Sequence, residues 1–194
     1  KKIYLEDLHY SFLEYSGGNI THWDFLDNTE GDLASMKHSK ICTRMFLIAD
    51  SDGYNDSKEG AKRERLNKLR DYFKEKFYCL EVKEIENILK PNVIKNVVTM
   101  FKYGKENKDA ELFNEVCFSE SEYKDENIGE FIDNKIDEQI DIKKANDEKF
   151  NYERKKTFKK GNTVSDKVKF CKYAIENIKT LDDMSDEAKE ICEK

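Results

Sequence analysis

Residues 46–52 read Phe46-Leu47-Ile48-Ala49-Asp50-Ser51-Asp52, an apolar run that ends abruptly in two carboxylates one residue apart. Such a run, followed by polar sequence containing Gly, predicts a buried strand that ends at a loop. In open α/β sheets ligands bind beyond the carboxyl ends of the strands, so Asp50 and Asp52 are placed where chemistry is done. Side chains at i and i+2 point to the same side of a strand, and both can reach one divalent cation. Hard cations such as magnesium prefer this oxygen ligation.

The flanking sequence extends the pattern. Residues 9–15 predict a strand and Ser16-Gly17-Gly18-Asn19 a turn. After the acidic loop, a helix is predicted over 58–76, with Leu66, Leu69, Tyr72 and Phe73 at helical spacing. A strand follows over 77–82. Pro91 ends the preceding element or opens the next helix, which runs over 93–103 with Val93, Ile94, Val97, Val98 and Phe101 as its apolar face. Strands alternating with helices predict an α/β fold with helices flanking the sheet. Residues 105–160 differ in composition. There Ile128, Phe131, Ile132, Ile136 and Ile140 form a narrow apolar stripe on a charged helix, a packing face that a partner could cover. Gly161 to Ser165 is a break. A helix follows with Val168, Cys171, Ala174 and Ile178 inward, and a last short helix opens at Ser185 and Glu187. The expected organisation is a core over 1–104, a charged helical insertion over 105–160 and C-terminal helices over 161–194.

Composition bounds the function. The chain has 194 residues, 39% of them charged and 38% hydrophobic, enough for one sizeable core. No apolar run approaches the ~20 residues that span a bilayer, so no membrane partner is expected. Five scattered cysteines without a CxxC pair give no support to a zinc or redox site. They suit reduced, buried thiols in the cytoplasm. A net charge of -6 argues against general, non-specific nucleic-acid binding, but the charge is uneven. Residues 58–76 hold eight basic and four acidic groups, residues 106–148 five and fifteen, and residues 149–172 nine and two. Lys58, Lys62 and Arg65 fall on one face of the first basic segment, a spacing suited to a phosphate backbone. The plainer reading of these runs is solvated helix faces. The acidic insertion is expected to repel DNA, to dock a basic partner, or to do neither.

Several chemistries use a strand ending in Asp-x-Asp. A calcium loop needs Gly at its sixth position and Glu at its twelfth; here these are Asn55 and Ala61. A magnesium-dependent phosphatase of haloacid-dehalogenase type would use Asp50 as nucleophile and Asp52 as acid/base. That motif wants Thr or Val where this chain has Tyr54, and no second acidic motif follows an apolar strand. A sugar-nucleotide transferase lacks support elsewhere. Turn carboxylates after a core strand are the structural alternative.

Three separated segments carry a resemblance. Tyr15-Ser16-Gly17-Gly18-Asn19-Ile20, the run from Phe46 to Asp52, and Val82-Lys83-Glu84-Ile85-Glu86-Asn87-Ile88-Leu89-Lys90-Pro91 resemble, in order and spacing, the Toprim domain of OLD-family (overcoming lysogenization defect) ATP-dependent nucleases. The third is similar to a recurring Ile-Glu-Asn-Tyr-Leu-x-Pro element, with Ile88 in place of the Tyr. Residues 163–194 resemble the closing helices of such domains, with a Lys in the place of Lys167. The resemblance implies a Toprim, Rossmann-like sheet and metal-assisted hydrolysis of a phosphodiester in nucleic acid, DNA sooner than RNA. It implies Mg2+ or Mn2+ held by Asp50, Asp52 and Glu86, with Lys167 neutralising developing charge. It also implies an ABC-type ATPase domain in cis or trans, which alone would bring in ATP, a homo-oligomer assembled through it, and a role in antiphage defence. Glu84, two residues from Glu86, is expected to face elsewhere. The family's first catalytic Glu, at the end of an N-terminal strand, has no counterpart here. The chain starts at Lys1 without an initiator Met and is expected to be a fragment whose Glu lies upstream, or an inactive relative. A non-catalytic interaction module built on 105–160 is the alternative of another class.

Overall fold

The computed structural model describes residues 46–51, 61–101, 107–161 and 163–193. The expectations for residues 1–45, including the Gly17-Gly18 turn, lie outside them, as do Asp52 and Lys58. The chain divides into two compact units, one of residues 1–47 and 60–77, the other of residues 48–59 and 78–194. The division falls within the region expected to form one core, and places the 105–160 segment in the same unit as the C-terminal helices. The architecture is mixed α/β, mostly helical, with a small parallel sheet of two strands, β1 (Leu47–Ala49) and β2 (Phe77–Cys79).

In the first unit α1 spans Ala61–Phe73 and passes into a 3-10 turn at Lys74–Lys76. Leu69 and Phe73, four residues apart, are buried; Tyr72 is 45% exposed and meets the Phe73 ring edge-on at 5.0 Å. Tyr72 therefore leaves the apolar face expected for it. Lys62 and Arg65 lie on α1, with side chains outside the described set.

The second unit is organised around α2 (Pro91–Met100), with Pro91 in the first turn, where its missing N–H costs nothing. Val93, Ile94, Val97 and Val98 are wholly buried. This β-branched run is a poor helix former in isolation; burial of the whole stripe outweighs propensity. α3 (Lys108–Glu115), the short α4 (Glu120–Tyr123) and α5 (Ile128–Asn146) follow. The stripe Ile128, Phe131, Ile132, Ile136 and Ile140 on α5 is buried in the same core as α2 and α3. The chain thus covers this face itself. A two-stranded hairpin, β3 (Lys159–Lys160) and β4 (Thr163–Val164), turns at Gly161 with φ 63° and leads into α6 (Lys167–Asn177). There Phe170 and Ala174 point inward while Val168, expected inward, is 83% exposed. The last elements are a 3-10 turn at Leu181–Asp183 and α7 (Asp186–Glu193), capped by Ser185, whose Oγ accepts the Ala188 N–H at 3.3 Å. The described cysteines, Cys79, Cys117, Cys171 and Cys192, are in no disulfide, and none is fully buried, against the expectation of small core residues. No helix among the described residues is long and apolar enough to cross a membrane.

One polar network is built into this core. Asp133, on the buried side of α5, accepts the backbone N–H groups of Thr157 (3.3 Å), Phe158 (3.4 Å) and Lys159 (3.0 Å) and pairs with Arg154. Arg154 also reaches Asp109 at 3.1 Å and Asp137 at 3.1 Å, and its side chain is only 4% exposed. The acidic and basic segments seen in the sequence therefore meet each other, with Lys156–Asp137 (3.0 Å) and Lys159–Glu130 (2.7 Å) at the margin. The exposed pairs contribute little; the buried one is costly to break. Gly129 lets the hairpin approach α5, because a Cβ there would lie 2.3 Å from the Phe158 carbonyl oxygen. Arg154→Met is expected to lower the unfolding free energy by about 3 kcal/mol, since it strands Asp133 and Asp109 as buried charges. Gly129→Ala is expected to cost about 2 kcal/mol by overpacking. Urea unfolding checks both; a loss under about 0.5 kcal/mol in either would contradict the account.

Candidate functional site

The site is built in the second unit from the end of β1, the segment after β2 and the start of α6. The Leu80 N–H donates to the Ala49 carbonyl at 2.9 Å, which continues the pairing of β1 with the chain after β2. Ser51, buried one residue after Asp50, donates its hydroxyl to the Val82 carbonyl at 2.6 Å. Asp50 is thereby fixed beside the segment carrying Glu84 and Glu86.

That segment is held by Asn87. Its side-chain oxygen accepts the Glu84 N–H at 3.2 Å, and its amide nitrogen donates to the carbonyls of Tyr123 and, at 3.0 Å, Glu126. Asn87 is buried, so each of these bonds replaces water that burial removed. A 3-10 turn, Ile85–Ile88, results. Leu89 forms a bridge to Met184, accepts the Tyr123 hydroxyl at 2.5 Å on its carbonyl, and is itself buried. The Ser185 N–H closes the far side on the Ile88 carbonyl at 2.7 Å. The Glu-Asn-x-Leu-x-Pro pattern thus reads in structural terms: Asn87 pins the turn, Leu89 docks it, and Pro91 starts α2.

The pinned turn presents two carboxylates inward. Glu86 is buried and Glu84 nearly as much, at 3% and 6% exposure. Glu84 was expected to face elsewhere, and the structure corrects this. Glu84 caps the 3-10 turn, with extended backbone (φ -132°, ψ 156°) and its N–H held by Asn87; Ile85, the first residue of the turn, is the one turned to solvent. Lys167, the first residue of α6, places its Nζ 3.1 Å from Glu86 Oε1 while 43% of its side chain stays exposed. On its outer side it borders an open depression of ≈ 540 Å³ lined also by Val168, Cys171, Lys172, Ile175 and Glu176. Glu86 Oε1 is taken by Lys167, while Oε2 of Glu86 and Oε2 of Glu84 have no hydrogen-bond partner among the described residues.

Electrostatics bind the four groups together. Burial first, and then the charge of Glu86, push the Glu84 carboxyl above its ordinary value, against the pull of Lys167 and the Ile128 N–H; Asp50 adds to the rise. Partial burial pulls the Lys167 ammonium down, but Glu86, then Asp50 and Glu84, more than offset this and hold it above its usual value. Burial and Glu86 also raise the Cys171 thiol, which disfavours the thiolate and a nucleophilic role.

The structure therefore brings Asp50, Glu86 and Lys167 together and adds Glu84, which sequence reasoning missed. Asp52 and Lys58 lie outside the described residues, and the side chains of Lys62 and Arg65 are not described. Among the described residues no three Asp, Glu, His or Cys side chains converge closely enough to hold a metal. The donor chemistry nevertheless suits magnesium or manganese: hard carboxylate oxygens, two of the residues with unpartnered buried atoms. Magnesium is commonly held by one or two carboxylates with water completing its shell. Comparison with family models, curated proteins and solved structures gives no match to this chain.

A pH dependence follows for the cation-free protein. A carboxyl raised in the folded state binds more protons folded than unfolded, so its contribution falls as pH rises. The penalty from Glu84 is absent below its unfolded value of 4.5 and grows as pH climbs through the higher folded value. Glu84→Gln is expected to flatten the decline of stability above pH 4.5, measured by urea unfolding in chelator from pH 4 to 8. Parallel wild-type and variant curves would contradict this.

Proposed function

We propose that the chain is the Toprim nuclease part of an OLD-like ATPase–nuclease, hydrolysing phosphodiester bonds of DNA or RNA with Mg2+ or Mn2+, in cytoplasmic antiphage defence. The observation that carries the reading is the convergence of Asp50, Glu86 and Lys167 from three distant stretches, each singled out by its resemblance to that family. Structural carboxylates rarely sit buried with unpartnered oxygens beside a half-exposed lysine.

Asp50 and Glu86 would hold the metal, with Asp52 from the same loop; when bound, a divalent ion supplies polarisation of the phosphate and a more acidic water. The chain's own groups do the rest. Glu86, fixed by the Asn87 turn, orients whatever binds it without cost of reorganisation. Lys167 reaches from the solvent-open side of the site to its buried side, where its ammonium can neutralise charge that builds on a phosphate oxygen. Lys58, Lys62 and Arg65 would contact the nucleic-acid backbone. An ABC-type ATPase domain and oligomerisation through it complete the proposal.

Supercoiled plasmid is expected to be nicked with Mn2+ or Mg2+, and chelator to stop the reaction. Asp50→Asn and Glu86→Gln are each expected to lower the rate at least about a hundredfold, the scale on which loss of one electrostatic stabiliser acts. Undiminished nicking by both variants would show that the activity resides elsewhere.

A further inference from the structure

Glu84 and Glu86 present an unfinished electrostatic arrangement. Asp50, Glu84 and Glu86 lie within electrostatic reach of Lys167, which among the described residues is the cation that acts on Glu84 and pairs with Glu86. With the carboxyls ionised, an excess of two negative charges remains. Groups this deeply buried are ordinarily paired or bound to a metal, yet Glu84 Oε2 and Glu86 Oε2 have no hydrogen-bond partner. The backbone does not let them turn away: Asn87 and Leu89 anchor the turn on both sides. Lys167 is different. Its long side chain is 43% exposed, and it already borders an open depression on α6.

We propose that Glu84 and Glu86 are the paired carboxylate ligands of one divalent cation, and that Lys167 occupies the place of this ion until it arrives. The incoming ion takes Glu86 from Lys167, and the released ammonium turns to the solvent-open side, where a phosphate would meet it. Two carboxylates and water are a sufficient shell for magnesium. With Lys167 turned away, the dication leaves the three carboxylates one negative charge in excess, against two with Lys167 alone. This inference rests on the metal-dependent reading above and adds to it a ligand, Glu84, and a role for the ion pair.

Mn2+ alone serves as the probe, with binding to the full chain followed by loss of the free-ion paramagnetic resonance signal. Glu84→Gln is expected to weaken binding about tenfold or more. Lys167→Met is expected to tighten it, because the competing cation is gone; since this variant leaves the buried Glu86 without its partner, its fold is checked by circular dichroism, and a labelling experiment tests the same role in the wild type. Amine labelling of Lys167, read by mass spectrometry, is expected to speed up when Mn2+ is added to the wild type. If the wild type and Lys167→Met bind alike, or Lys167 labelling ignores Mn2+, the stand-in role is wrong. If Glu86→Gln loses binding while Glu84→Gln keeps it, the new ligand is wrong and the metal-dependent reading stands. If the wild type binds no Mn2+ at all, both fall.

Discussion

A carboxylate withdrawn from water must be compensated, and the candidate site follows from how the fold compensates Glu86. Its side chain is 1% exposed and its partner is Lys167, which stands at the start of a helix eighty-one residues further on. Bringing that lysine to the site requires the whole second half of the chain to be in register. Asp133 takes three successive backbone N–H groups of residues 157–159 and the Arg154 guanidinium, which ties the hairpin to α5. Gly129 admits the Phe158 carbonyl at the same junction. The hairpin then delivers α6, whose aromatic residues Phe170 and Tyr173 lock against Phe101 at 6.3 and 5.3 Å. A structural network thus decides where a site residue stands.

The uneven charge of the chain takes its meaning from the same network. An acidic stretch followed by a basic one looks, along the sequence, like a surface for partners. In the fold the two stretches answer each other in part, with Arg154 among Asp109, Asp133 and Asp137, and Lys159 on Glu130 at 2.7 Å. Likewise the isoleucine stripe of α5 is spent on the chain's own core. Both features weigh less towards an interaction module than they do when read without the structure.

What was legible in the sequence was local or already patterned. The 3.6-residue spacing of Val93, Ile94, Val97 and Val98 identifies α2, and the acidic end of the Phe46–Ala49 run identifies Asp50. The strand itself is only Leu47–Ala49, with Ile48 exposed. The association of Asp50, Glu86 and Lys167 came from resemblance across segments, not from any property of one segment. What was not legible depended on backbone state or long-range pairing. Glu84 is buried as the capping residue of the 3-10 turn, its N–H on the buried Asn87 side chain, a placement that its two-residue spacing from Glu86 does not announce. Val168 fits a helical stripe with Cys171 and Ala174, but the stripe that docks is Phe170, Tyr173 and Ala174, one residue round the helix. Arg154 looks like any residue of a basic run; only the fold shows that it is buried with three aspartates.

The central claim is that Glu86, held by its turn and paired with Lys167, is a cation-binding carboxylate and not a structural one. A crystal structure of the full chain soaked in Mn2+, with anomalous data collected for manganese, tests it most directly. The account predicts an anomalous peak against the Glu84 and Glu86 carboxylates, with the Lys167 ammonium moved off Glu86. An undisturbed Glu86–Lys167 pair, with no peak beside it at saturating Mn2+, would contradict it.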